Sequence, residues 1–238
     1  MTRIRAAGSS MHHSRLDPAA LQAPGWLAAR PMIGLWMFVV GGLVFGALVY
    51  NLETQGPLLQ WDAPLAKEMH TEAAQTPSRL MEYLVFGFFL GKEFVQVLAG
   101  ILFLYFLHKR FWRELAMVLV GLGGGGLLWY FLSRYFDRLR PSAQLGIVVN
   151  DPSFPSGHTM TAVLCYGLLA YLLVPKMPSL FWKGFVILMA VFVISFIGFS
   201  RLFLGGHYLT DIVAGYALGF AWAGLVYTLL EKRLKTED

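Results

Sequence analysis

Three stretches of this 238-residue chain have residue types and spacing that can do chemistry: Arg140-Pro141, Pro155-Ser156-Gly157-His158, and Ser200-Arg201 followed by His207 and Asp211. Arg140 and Arg201 are guanidinium forks suited to holding phosphate oxygens in two places at once. Ser156 stands where an N-cap would precede an apolar run, and Gly157 lets backbone approach a ligand closely. Exposed N–H groups at such a helix start form an anion site. His158, at the rim of that site, is placed to give a proton to a departing oxygen, a role that contributes about 10²–10⁴-fold. His207 and Asp211 are four residues apart, so a helix starting near His207 sets them on one face. A carboxylate bonded to one ring nitrogen would fix the tautomer and leave the other nitrogen free to attack. A His nucleophile, a His acid, an orienting Asp and an anion cradle together suit phosphoryl transfer, in which positioning and charge stabilisation dominate. His158, His207 and Asp211 are also metal-ligand types, but the neighbouring arginines would repel a cation and attract an anion. No metal or cofactor is expected.

The elements that must position these residues are apolar. The chain is 57% hydrophobic and only 14% charged, with a mean hydropathy of +0.58, against about 25% charged residues in ordinary soluble domains. Six candidate spans follow: Pro31–Tyr50, Leu80–Leu107, Leu115–Leu132, Thr159–Val174, Gly184–Phe199 and Ile212–Leu230. Lys92-Glu93 interrupts the second, which reads as an outer interfacial helix followed by a span from about Glu93, with a single tilted helix carrying an ion pair as the alternative. The first span follows several arginines, yet it is longer than a signal-peptide core and has no small-residue cleavage site, so it reads as uncleaved.

Orientation follows the basic residues. With the N-terminus inside, the cytoplasmic segments hold Arg3, Arg5, Arg15, Arg30, Lys109, Arg110, Arg113, Lys176, Lys183, Lys232, Arg233 and Lys235, twelve of the nineteen Lys and Arg. Both termini are therefore expected in the cytoplasm, and the net charge of +5 reads as an insertion signal, not as nucleic-acid binding. The fold class is all-α, a polytopic bundle of six transmembrane helices. Residues 1–30 read as a cytoplasmic tail, 31–232 as one membrane domain and 233–238 as a C-terminal tail. A short surface helix is expected around Ala63–Ala74. Gly123-Gly124-Gly125-Gly126 lacks the strand and the Gly-Lys-Ser/Thr end of a phosphate loop and reads as close helix packing. Gly215 and Gly219, spaced as GxxxG, pack either within the chain or against a second copy. The oligomeric state stays open, and the lone Cys165 excludes an internal disulfide.

The motifs resemble the type 2 phosphatidic acid phosphatase family, whose pattern is KxxxxxxRP, PSGH and SRxxxxxHxxxD. The second and third elements are complete here as Pro155–His158 and Ser200–Asp211; in the first, Ser133 stands where the family has Lys. The resemblance implies that His207 attacks phosphorus and forms a phosphohistidine, oriented by Asp211, while His158 protonates the leaving alcohol. Arg140, Arg201, Ser156 and the Gly157 backbone would hold the phosphoryl oxygens. Arg134 is the stand-in for the missing Lys, although one residue along a helix turns it by about 100°.

The expected activity is hydrolysis of a phosphomonoester or diphosphate of a membrane lipid at the outer face of a bacterial plasma membrane. Candidate substrates are undecaprenyl diphosphate, phosphatidylglycerol phosphate, phosphatidic acid and diacylglycerol pyrophosphate. A lipid phosphotransferase using the same site, and a non-catalytic transporter of anionic lipids, are the alternatives. Arg138 reads either as a second phosphate ligand or as an exposed charge.

Overall fold

The computed structural model describes residues 31–77, 85–87, 90–91, 93–141 and 151–234, and among them every regular element is helical. The expected N-terminal tail and Lys92 lie outside the described residues. The long helices are α1 (Pro31–Glu53), α3 (Glu93–Lys109), α4 (Trp112–Phe136), α5 (Gly157–Leu173), α6 (Leu180–Phe203) and α7 (Leu209–Leu234). A shorter helix, α2 (Asp62–Gln75), follows a single turn at Pro57–Trp61 and buries Ala66 and Ala73, seven residues apart on one face. Among the described residues five helices are long and apolar enough to cross a membrane: α1, α4, α5 together with the turn that follows it to Lys176, α6 and α7.

The helices outrun the apolar windows of the sequence. The fifth window stopped between Lys183 and Ser200-Arg201, whereas α6 runs from Leu180 through Arg201 to Phe203. A charge ends an apolar window but not a helix when its guanidinium is enclosed by protein, and Arg201 is 3% exposed. α7 continues to Leu234, past the expected start of the C-terminal tail. The turn between α3 and α4 is only Arg110-Phe111.

α4 is not uniform. Met117–Gly124 is wound as a π-helix between two α-helical parts. Wider turns leave carbonyls poorly paired within the helix, and Trp222 of α7 donates its indole N–H to the Gly121 and Val120 carbonyls at 3.0 and 3.1 Å. The four glycines divide their roles. Gly124 and Gly125 face Trp222 and Leu164, as packing predicts, but Gly123 and Gly126 face open space.

α7 is the central helix, with α1 along one side and α5 along another. At one end of the bundle Phe106, Leu115, Met117, Leu168, Tyr171 and Tyr227 form a buried core. At the other end Phe154 is buried against Leu48 of α1 and Ala214 of α7, stacked on Phe45 and edge-on to Phe136 at 5.1 Å. The GxxxG pair packs within the chain: the missing side chains of Gly215 and Gly219 make room for the start of α5 at Ser156, Thr159, Met160 and Val163. A Gly215→Val substitution is therefore expected to lower stability by about 1–3 kcal/mol through overpacking. Thermal unfolding in detergent checks this, with Gly42→Val, which faces open space, as the control that leaves the midpoint in place.

Candidate functional site

The motif residues converge at the Phe154 end of the bundle. His207, 1% exposed, sits in the turn between α6 and α7, which Gly205 closes with a φ of 70° that glycine adopts without strain. The ring has two partners. Arg140 Nη1 lies 3.0 Å from Nε2, and the Ser153 carbonyl lies 2.8 Å from Nδ1. A guanidinium can only donate and a carbonyl can only accept. His207 is thus the neutral tautomer, with Nδ1–H donating to Ser153 and the Nε2 lone pair accepting from Arg140. Burial holds its pKa below the ordinary value; Asp211 opposes that shift, and Arg140 and Arg201 add to it.

Asp211, fully buried at the start of α7, is placed differently from the sequence expectation. Its Oδ2 is 3.7 Å from His207 Nδ1, beyond hydrogen-bond reach. Oδ2 instead accepts from the Tyr208 N–H at 2.9 Å, and Oδ1 accepts from Arg138 Nη1 at 2.6 Å. Arg138 is also bonded to Asp62 of α2 at 2.8 Å and lies over the Tyr208 ring. Burial pulls the Arg138 pKa down, but Asp211 and Asp62 more than offset it and leave it above the ordinary value. Asp62 in turn accepts from the Thr210 N–H at 3.1 Å and from the Thr210 hydroxyl, capping the first turn of α7 from a distant part of the chain.

The segment leading into α5 presents three successive carbonyls to these side chains. Asp151 accepts from Arg140 Nε at 2.8 Å, Pro152 from Arg140 Nη2 at 3.4 Å, and Ser153 from His207. Arg140 also donates to the Gly206 carbonyl at 2.7 Å, and burial lowers its pKa. Phe154 anchors the segment in the core, and Trp129 donates to the Pro155 carbonyl at 3.0 Å. Arg134 lies outside the cavity, half exposed and paired with Asp151 at 2.9 Å. Ser133 points inward, buried, and donates to the Tyr130 carbonyl of its own helix.

His158 occupies the first turn of α5 and faces His207 across a gap, with ring centroids 6.1 Å apart. Ser156 stands at the N-cap position, but its hydroxyl makes no capping bond; its N–H donates to the Asp211 carbonyl at 3.0 Å, tying α5 to α7. A cavity of about 720 Å³ opens between the histidines, lined at its polar end by Arg140, Arg201, His158, His207 and Gly157. Leu122, Gly123, Gly126 and Leu127 of α4 and Val95 and Ala99 of α3 continue it as an apolar slot. Glu93 of α3 also lines it. Among the described residues no three His, Cys, Asp or Glu side chains form a metal-ligand group.

Of the residues singled out in the sequence, the structure thus brings His158, His207, Arg140, Arg201 and Gly157 to one cavity. Asp211 and Ser156 lie behind its wall, and Arg134 stays outside. Sequence reasoning missed Ser153, Asp62, Thr210 and Glu93. Two of these carried a signal: Glu93 as half of the charged pair that interrupts an apolar run, and Asp62 as an acidic residue opening a short helix.

The sequence matches the PAP2 superfamily over residues 114–235. It is 36% identical over 128 residues to phosphatidylglycerophosphatase B of Bacillus subtilis (strain 168), an alignment covering 53% of this chain and 63% of that protein, less than two thirds of its length. It is 34% identical over 82 residues to lipid phosphate phosphatase delta of Arabidopsis thaliana, covering 33% of this chain and 19% of that protein. The fold is similar, at a TM-score of 0.65 and 27% identity, to the crystal structure of a transmembrane PAP2 type phosphatidylglycerolphosphate phosphatase from Bacillus subtilis, over 86% of this chain and 96% of that one. The superfamily match takes in Arg140, His158, Arg201, His207 and Asp211 together with the three helices α5 to α7. This chain, an integral membrane protein, belongs to the PAP2 superfamily.

Proposed function

We propose that the protein is a lipid phosphatase that removes a phosphoryl group from a membrane lipid through a phosphohistidine on His207, with its site on the non-cytoplasmic face. One observation carries this reading: a neutral imidazole and a second histidine face each other across a cavity with two arginines at its polar end and an apolar slot leading away. A phosphorylated lipid has that same polarity along its length.

The neutral Nδ1–H tautomer leaves Nε2 as the attacking atom. In the free protein its lone pair is held by Arg140. A phosphoryl group arriving between Arg140 and Arg201 offers the guanidinium stronger, charged acceptors and frees the lone pair. Nε2 then bonds to phosphorus as the bond to the leaving oxygen breaks, and His158 gives that oxygen a proton. In the second half, His158 takes a proton from water, the water oxygen attacks phosphorus, and the P–N bond breaks to return His207. The arginines stabilise the charge that spreads over the equatorial oxygens. The other end of the bundle carries Lys109, Arg110, Arg113, Lys176 and Lys183 at its helix ends and connections, which supports a cytoplasmic placement of that end. Phosphatidylglycerol phosphate is the first substrate to test, because both Bacillus subtilis relatives are named for it; undecaprenyl diphosphate, phosphatidic acid and diacylglycerol pyrophosphate follow.

Phosphate release by the purified protein from these four lipids tests the reading. Turnover should persist with chelator and stop with vanadate, and His207→Ala should cost roughly 10³-fold or more in kcat, the scale of losing a nucleophile. Chelator-sensitive turnover that tolerates vanadate would overturn it.

Because attack needs neutral His207, activity should be present above its pKa and lost as the pH falls through it. The acid limb of kcat/KM, which reports the free enzyme, should lie below the ordinary histidine value of 6.5. A limb above that value would exclude His207 as the group seen. Gly126→Leu projects into the slot and should reduce lipid turnover about tenfold or more while sparing a short soluble phosphomonoester, which has no tail to displace. Equal loss on both substrates would show that the slot holds no tail.

A further inference from the structure

Asp62, Arg138 and Asp211 form one buried charge chain that the expected mechanism does not use in full. Asp62 is 2% exposed and Asp211 fully buried, and the Arg138 side chain between them is 14% exposed. One cation thus serves two anions. Enclosed ions of this kind carry a large desolvation cost unless each serves the others. Thr210, whose hydroxyl also accepts from Arg138 at 2.8 Å, fixes the geometry at the first turn of α7.

We propose that Asp62 and Arg138 are positioning residues that set the charge behind His207, making the outer helix α2 part of the machinery for phosphoryl transfer. Arg138 holds Oδ1 of Asp211 while the Tyr208 N–H holds Oδ2 at 3.7 Å from the ring, so the Nδ1 proton goes to the uncharged Ser153 carbonyl and not to a carboxylate. The ring therefore stays neutral and its Nε2 stays a lone pair. Asp62 restores what Arg138 takes: the chain of two carboxylates and one guanidinium keeps one net negative charge beside a ring that turns cationic when Nε2 bonds to phosphorus. The other charged or titratable groups facing His207 are His158 from α5, Arg201 from α6 and Arg140 from the loop after α4, with Glu93 of α3 on the same cavity. This assignment rests on the phosphohistidine reading above.

The two positions predict opposite signs, which a purely structural role cannot produce. Exchange of the His207 C2 hydrogen for deuterium, followed by mass spectrometry across pH in the full-length protein, reads the pKa of that ring without turnover. Arg138→Met should raise it by about half a unit or more, and Asp62→Asn should lower it, a unit being one decade in the proton equilibrium. The acid limb of kcat/KM should move the same way, kcat of Asp62→Asn should fall about tenfold, KM should change by less than about threefold, and Arg138→Lys should return the limb towards wild type. If Arg138→Met does not fold, a His207 pKa lowered in Asp62→Asn and kept near wild type in Arg138→Lys carries the test. An unmoved His207 pKa in folded variants, or shifts of the same sign, would overturn the proposal. A wild-type protein inactive on every lipid phosphate would overturn the proposed function alone, because the exchange shifts do not depend on catalysis.

Discussion

One ring is held by a group that can only donate and a group that can only accept, and the rest of the structure exists around that constraint. The Arg140 guanidinium and the Ser153 carbonyl leave His207 a single protonation state, with the lone pair on Nε2. To bring those partners together the chain must end α4 at Phe136, turn at Asp137 with a positive φ of 40°, run Arg140 under the 151–153 carbonyls and seat Phe154 in the core. Each step has its own anchor: Ser153 donates its N–H and its hydroxyl back to the carbonyls of Arg138 and Leu139. The turn after α4 and the segment before α5 are thus tied together before any ligand arrives.

Burial makes this arrangement useful. An exposed imidazole titrates near neutrality and is screened by water, whereas an enclosed one stays neutral and feels each nearby charge more strongly. Arg140 and Arg201 would be costly in such a place on their own. The carbonyls of Asp151, Pro152 and Gly206 compensate Arg140. That compensation is neutral, so the guanidinium keeps its full charge for an anion. The apolar slot beside this pocket arises from a different device, the glycine-rich π-wound part of α4, which removes side chains where a tail would lie.

Much of this was legible in the sequence. Apolar runs marked the helices, and α2 fell near its expected place at Ala63–Ala74. The histidines and arginines could be read because their side chains line the cavity and their spacing is local. What stayed hidden was contributed by backbone or by distance. Any residue can offer the carbonyl that Ser153 offers, so no side-chain pattern announces it. Asp62 meets Arg138 across 76 positions of sequence, and no local periodicity encodes that. Arg134 was misjudged by one step of helical phase, since Ser133 takes the inward direction and leaves its neighbour outside. Ser156 holds the cap position, yet its main chain, not its hydroxyl, makes the useful bond.

The absent side chains at Gly215 and Gly219 let the helices bearing Asp211 and His158 meet backbone against backbone. Lipid bilayers differ in thickness, and a spanning helix answers such mismatch mainly by tilting. Two helices seated that closely must tilt as a unit, leaving the less closely packed α3 to absorb the deformation. The gap between the imidazoles should accordingly keep its width in thin and thick membranes alike, while the mouth of the slot widens or narrows with the surrounding lipid.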